Sequence, residues 1–344
     1  MLVGVAGGCA TAPKPVDLVW PLPPDTPRIR YLGSISSLEE MGVSGWTRMK
    51  GVVFGAEPIR KLTKPYGIVV DSLGRLYISD TGARIVFVFD FAASREDEKV
   101  AFIGMKKPGR IGRPVGLAVD KHDNLYVGDA LGKKIVVYGP DHEFLTAMGR
   151  DSGLERPAGI AVDSERRRLY AVDVASHDVK VFDLDGKFLF SFGGRGVGDG
   201  QFNYPTNAAL DSKGRVLVVD SMNNRVQIFD GEGKFIGKFG QIGRVAGSFA
   251  RPKGIALDSD GNIYVVDAAF DNVQIFSADG ELLLGFGEFG SGPGAFQLPA
   301  GIHIDDADKI YVSDQYNQRV QMFQYLKEAP QKDAPGDSVD AAEE

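Results

Sequence analysis

Pro252-Lys-Gly-Ile-Ala-Leu-Asp-Ser-Asp-Gly-Asn-Ile-Tyr-Val-Val-Asp267 reads as two short strands and the hairpin between them. Two apolar runs rich in β-branched and aromatic residues flank Asp258-Ser-Asp-Gly261, and runs of that length bounded by Gly and Asp favour strand over helix. Gly261 stands where a tight hairpin wants a positive φ. The pattern recurs along the chain, and the recurrence decides the fold. Its first half appears at Pro65–Asp71, Pro114–Asp120, Pro157–Asp163, Pro205–Asp211, Pro252–Asp258 and Pro299–Asp305, with the prolines 49, 43, 48, 47 and 47 residues apart. Its second half ends each time in aspartate, at Asp80, Asp129, Asp173, Asp220, Asp267 and Asp314.

A third apolar run follows, as in Arg225-Val-Gln-Ile-Phe229, and a fourth closes most units, as in Gly233-Lys-Phe-Ile-Gly-Lys-Phe-Gly240. Four short antiparallel strands in a repeat of this length make one propeller blade, so the spacing predicts an all-β, six-bladed β-propeller over residues 28–325. The sixth unit runs out after three strands. Arg28-Ile-Arg-Tyr-Leu-Gly-Ser-Ile35 has the pattern of a fourth strand and precedes the first unit. It is expected to complete the last blade, which closes the ring and leaves a monomer without exposed sheet edges.

These units resemble the NHL repeat, whose motif runs Pro-x-Gly-Ile-Ala-Val-Asp, then Leu/Ile-Tyr-Val-x-Asp, then Asn-x-Arg-Val-Gln-x-Phe. The third part is matched most fully by Asn223, Arg225, Val226 and Gln227 and by Asn317, Arg319, Val320 and Gln321. The resemblance implies the propeller fold. Proteins of this and related rings bind partners or RNA, sense ligands outside bacterial cells, or act as metal-dependent lyases and lactonases, so the fold does not choose a function.

Composition narrows the classes. Of the formal charge of −7, the segment Lys327–Glu344 holds −4 through two lysines and six carboxylates. That leaves no broad basic field for nucleic acid, and residues 326–344 read as an acidic, disordered tail. The one cysteine, Cys9, excludes an internal disulfide framework or a multi-cysteine zinc site. It follows the small, apolar Met1–Gly8 and precedes the Pro-rich stretch up to Pro27, and residues 1–27 look like the end of a bacterial lipoprotein signal and a linker. The segment lacks a basic n-region and its apolar run is short for a signal peptide. Cys9 is the expected lipidation site. With the repeats, this makes the chain resemble bacterial envelope propellers, lipid-anchored on the periplasmic or extracellular face. The expected partner is an envelope or secreted protein, with the membrane touched only through the anchor.

Catalytic motifs are sparse. The four histidines, His122, His142, His177 and His303, occupy no equivalent places in different units, which argues against a histidine-ligated zinc site. His303 alone interrupts the first strand of its unit, where the other units hold Val69, Ala118, Ala161, Ala209 and Ala256. Asp258-Ser-Asp-Gly-Asn262 has the start of a calcium loop without its later bidentate Glu, and a hairpin turn explains it. No nucleophile elbow, zinc-protease helix or Walker loop occurs. Aspartates repeated in every unit point to a shared turn role. Arg84, Lys134, Arg225 and Arg319, at the start of third strands, are expected to pair with them.

The remaining constellation is basic. Lys64, Arg113, Arg156 and Arg251 each precede a repeat proline, and Lys253 follows Pro252. In such rings that segment enters the innermost strand, so these five charges are expected at one mouth of the channel, facing an acidic partner or an anionic ligand. The expected function is a non-catalytic, envelope-anchored scaffold without cofactor or metal. The alternative is a metal-dependent lactonase or lyase.

Overall fold

The computed structural model describes residues 17–41, 53–54, 57–58, 61–149 and 152–327, so Cys9 and all but the first two residues of the acidic tail lie outside the described residues. Six antiparallel sheets stand around a central axis in chain order, each built outward from a strand that opens on a repeat proline. The first blade comprises Pro65–Val70, Leu76–Asp80, Ile85–Phe89 and Val100–Ile103. The inner strands of the others are Pro114–Val119, Pro157–Asp163, Pro205–Leu210, Pro252–Leu257 and Pro299–Ile304. Each inner strand packs against the next, and the sixth returns to the first.

The ring closes as the sequence predicts. Ile29–Ile35 pairs antiparallel with Arg319–Tyr325, from Ile29 opposite Tyr325 to Ile35 opposite Val320. The last blade also extends into the stretch read as linker, because Val19 and Trp20 pair with Arg30 and Ile29 as a fifth strand. Trp20 then packs against Phe286 and Phe323, which ties the lead-in to the fifth and sixth blades.

Period-2 patterning explains why the core is a set of seams between blades. In Leu76–Asp80, Leu76 and Ile78 face Tyr311 and Val320 of the last blade. Tyr77, between them, faces Leu125 and Val127 of the second blade. Both faces of the strand are therefore buried, and the same arrangement repeats at every junction.

The Pro-x-Gly step sets the spacing at the axis. Five of the six inner strands carry glycine there, and each inner strand shifts register just after its proline. A Cβ on Gly116 would stand 2.0 Å from the carbonyl oxygen of Ala158, and one on Gly301 would stand 2.0 Å from that of Tyr66. Neighbouring backbones thus approach more closely than any side chain allows. Serine hydroxyls bridge two of these approaches. Ser79 receives the Gly67 N–H at 2.8 Å and donates to the Val115 carbonyl at 2.6 Å. Ser313 receives the Gly301 N–H at 2.6 Å and donates to the Tyr66 carbonyl at 2.8 Å, which joins the last blade to the first.

Gly301→Ala forces these backbones apart and is expected to destabilise the ring by at least about 2 kcal/mol, as overpacking against rigid backbone does. Gly237→Ala, at a glycine with open space around its Cβ, serves as control and should leave the denaturant midpoint within about 0.5 kcal/mol of wild type.

Candidate binding site at the channel mouth

Antiparallel pairing places the start of each inner strand beside the end of the second strand, as with Pro65 opposite Asp80. The repeat aspartates therefore sit directly under the face where the inner strands begin. Each of the six is at most 1% exposed. Their carboxylates accept backbone N–H groups of the loop entering the blade. Asp80 takes those of Thr63 and Lys64, Asp129 those of Gly112 and Arg113, Asp173 those of Glu155 and Arg156, and Asp267 those of Ala250 and Arg251. Each carboxylate also holds the turn after its own strand, as Asp80 does through the N–H groups of Gly82 and Ala83. Charge-assisted bonds of this kind satisfy a buried anion without a cation, and the repeated aspartates thus have the turn role the sequence suggests.

The same bonds fix four basic side chains at the mouth. Lys64, Arg113, Arg156 and Arg251 are exposed, and each extends from a backbone amide anchored by a buried aspartate. In the fourth and sixth blades the equivalent residues are Tyr204 and Leu298. Both have positive φ, and their N–H groups go to the His177 imidazole and to Asp271 instead. The aspartates do not form side-chain ion pairs with the rim. Among the described residues, no carboxylate lies within ion-pair distance of Lys64, Arg113, Arg156, Arg251 or Lys253.

Tyr66 organises the centre. It lines the channel, and the Lys253 ammonium lies 5.9 Å from its ring centroid, within cation–π range from a blade two places away. Burial pushes the Tyr66 hydroxyl above its ordinary range, against the pull of Arg251 and then Arg113. Burial, reinforced by the charges of Arg251 and Lys64, lowers the Lys253 ammonium from 10.5 to about 8. Arg251 and Arg113 thus act on Tyr66, and Arg251 and Lys64 on the Lys253 ammonium over its ring. Arg156 holds the equivalent place in the third blade.

Below the mouth, the channel is a cavity of about 280 Å³ walled mostly by Ile68, Leu117, Ile160, Ile255 and Ile302, with Asn207 and His303 as its polar members. Burial holds the His303 imidazole down to about 4, against a small upward pull from Asp305, and its Nε2 is buried without a partner. It is a neutral lining group at physiological pH. His177 accepts the Tyr204 N–H at 3.0 Å, and His142 lies 3.1 Å from the Tyr77 hydroxyl, so both belong to local structure. Among the described residues no three His, Cys, Asp or Glu side chains converge as a metal would need. The Asp258 carboxylate receives the N–H groups of Asp260 and Asn262, the Asn262 amide and the Tyr264 hydroxyl. Those bonds make its loop a hairpin turn.

Arg225 and Arg319 pair with Asp220 and Asp314 at 2.8 Å and hold the preceding loop through its carbonyls, Arg225 at Gly198 and Gln201 and Arg319 at Gly292 and Ala295. Lys134 shares their register but bonds the Arg110 carbonyl. Arg84 does not share it, since Ile85 is the residue opposite Asp80 and Arg84 occupies the positive-φ place before the strand.

Around the basic centre, the same face presents exposed apolar side chains on its loops, including Val197, Met222, Ile242, Val245, Phe289 and Tyr316. Met222, Ile242, Ala250 and Phe270 line a shallow depression there, and Ala250 directly precedes Arg251. Sequence reasoning missed both Tyr66 and this apolar ring, because each lies at a variable place in the repeat.

A family model described as a six-bladed β-propeller matches residues 209–273 and 257–328. No curated protein is similar in sequence. Among solved structures, a streptogramin B lyase is similar at 14% identity, over 77% of this chain and 94% of that one, with a TM-score of 0.58. Virginiamycin B lyase from Staphylococcus aureus is similar at 16% identity, over 77% and 96%, with a TM-score of 0.57. A protein of unknown function from Bacteroides thetaiotaomicron is similar at 17% identity, over 80% and 72%, with a TM-score of 0.59. At such identities the likeness is one of fold.

The lowered Lys253 ammonium implies a pH-dependent cost of folding. Below about 8 the ammonium is charged in both states but crowded in the folded one; between about 8 and 10.5 only the unfolded chain keeps the proton, so this contribution to stability rises with pH. Lys253→Met should therefore stabilise the ring at pH 7 by roughly 1–2 kcal/mol. The gain should shrink as thermal melts are repeated at pH values rising through 8 towards 10.5.

Proposed function

We propose that this chain is an NHL-type propeller lipoprotein of the bacterial envelope, and that it serves as a non-catalytic scaffold docking an acidic segment of an envelope or secreted protein on its basic channel mouth. The observation that carries this reading is the Lys253 ammonium over the Tyr66 ring, with Arg251 acting on both, Arg113 on Tyr66 and Lys64 on Lys253, and no carboxylate partner for any of the four cations among the described residues. Unpaired cations crowded together favour whatever anion can reach them, and clefts with low-dielectric walls focus that field. The exposed apolar side chains on the same face supply contact area for a protein segment. Arg156 would widen the basic surface towards the third blade and steer the approach of the partner.

Two experiments test the two halves of the proposal. Binding of a fluorescent oligo-glutamate peptide to wild-type protein should weaken as salt is raised. The combined variant Arg113→Glu, Arg156→Glu and Arg251→Glu should lose at least ~10-fold in affinity while melting like wild type, because the three side chains are exposed. Unchanged affinity would contradict the mouth as the docking site. For the anchor, the full-length chain made in a bacterial host should incorporate a clickable fatty acid and Cys9→Ser should not; equal labelling of the two would remove Cys9 as the lipid site.

A further inference from the structure

We infer that Lys253 is a nucleophilic amine that holds small carboxylates bearing an adjacent aldehyde or ketone as a reversible imine at the channel mouth. The inference rests on reading that mouth as an anion site, and adds the class of small ligand and the bond it forms.

Lys253 differs from the other lysines withdrawn from solvent. Lys180 is buried against Asp178 at 2.7 Å, and Lys134 donates to the Arg110 carbonyl at 3.2 Å. Lys253 is half-buried over the Tyr66 ring and has neither kind of partner among the described residues. Among the described residues, the charges that act on it are positive. Arg251 stands on its own strand and Lys64 at the start of the first blade, and Arg113 reaches Tyr66 from the second blade. Thr206, from the fourth blade, is neutral and donates its hydroxyl to the Lys253 carbonyl at 2.9 Å. Asp80 and Asp267, which anchor the backbone of Lys64 and Arg251, are fully buried and occupied by backbone N–H groups.

Desolvation beside other cations is one way a lysine becomes a nucleophile at neutral pH, since the proton leaves more readily from a crowded ammonium. Burial first, and then Arg251 and Lys64, make the Lys253 proton easier to lose, and the same two cations attract a carboxylate. A ligand that carries a carbonyl next to its carboxylate answers both features at once.

The chemistry balances without an oxidant or a reductant. The amine lone pair adds to the carbonyl carbon, and the carbonyl π pair moves onto oxygen, which takes a proton from solvent. The nitrogen, positive after the addition, releases one proton to solvent to give the neutral carbinolamine; its hydroxyl group takes up a second proton and leaves as water while the nitrogen lone pair forms the carbon–nitrogen double bond, and the nitrogen then releases its remaining proton to solvent. Amine and carbonyl give imine and one water, and hydrolysis reverses each step.

The test uses the full chain with glyoxylate as probe and cyanoborohydride to trap the imine, followed by peptide mapping. Lys253 is expected to be labelled at least ~10-fold faster than exposed lysines such as Lys187, Lys213 and Lys234. The rate should fall as pH drops through about 8, where Lys253 takes up its proton. Arg251→Gln should move that midpoint upward, and Lys253→Arg should remove this adduct alone. Glycolate, which has the carboxylate but no carbonyl, should protect Lys253. Labelling of Lys253 no faster than that of exposed lysines overturns the imine. If glycolate and oligo-glutamate still bind in that case, the anion site stands without it; if neither binds, both readings fall.

Discussion

The structure depends on a buried aspartate that ends the second strand of every blade and accepts a backbone N–H from the loop that enters the blade. In four blades those N–H groups belong to the two residues ahead of the repeat proline. An unpaired carboxylate at such depth would be costly, and the loop amides would be equally costly if left without acceptors. Pairing them fixes where each inner strand starts. Every later feature follows from that point, including the proline, the glycine that admits the neighbouring backbone, and the direction in which the residue before the proline projects.

This arrangement separates two layers of charge. In the four blades with a basic rim residue the carboxylate is internal and taken up by backbone amides, so it does not neutralise the side chain above it. Among the described residues the basic layer has no carboxylate partner. In the fourth blade, Asn207 replaces the glycine that the other inner strands carry, Tyr204 replaces the basic residue, and His177 takes over the amide of Tyr204. In the sixth, Leu298 and Asp271 make the corresponding exchange. The basic side chains are therefore confined to the other four blades. Lys253 and Tyr66 meet across the intervening sixth blade, which concentrates charge at the mouth although the chain as a whole is acidic.

The fold was legible because a propeller repeats one physical solution. Each Pro-x-Gly, each strand-ending aspartate and each period-2 run solves the same local problem, and six copies average out irregularities such as Asn207. The site was legible only in part. Lys64, Arg113 and Arg251 could be placed because they precede an invariant step of the repeat. Tyr66 could not, since its place in the other blades is taken by Val115, Ala158, Thr206, Lys253 and Ala300, and its meaning comes from a contact between distant blades. Arg84 was matched by residue type although its register is one residue early, and a φ of 60° there separates it from the true pairing place. The strand at Val19–Trp20 carried no repeat signal, because it covers the end of the last blade and copies no element of the others.

The most direct measurement of the central claim, an unpaired and mutually repelling group of cations at the channel mouth, is the titration of Lys253 itself. Selective ¹³C labelling of the lysine ε-carbons, with Lys253→Arg to assign the signal, reads its protonation by NMR across pH. The account predicts a midpoint near 8 in the free protein, and an upward shift when an oligo-glutamate peptide is added, because a bound anion favours the ammonium. A midpoint at the ordinary 10.5, unmoved by the peptide, would contradict it.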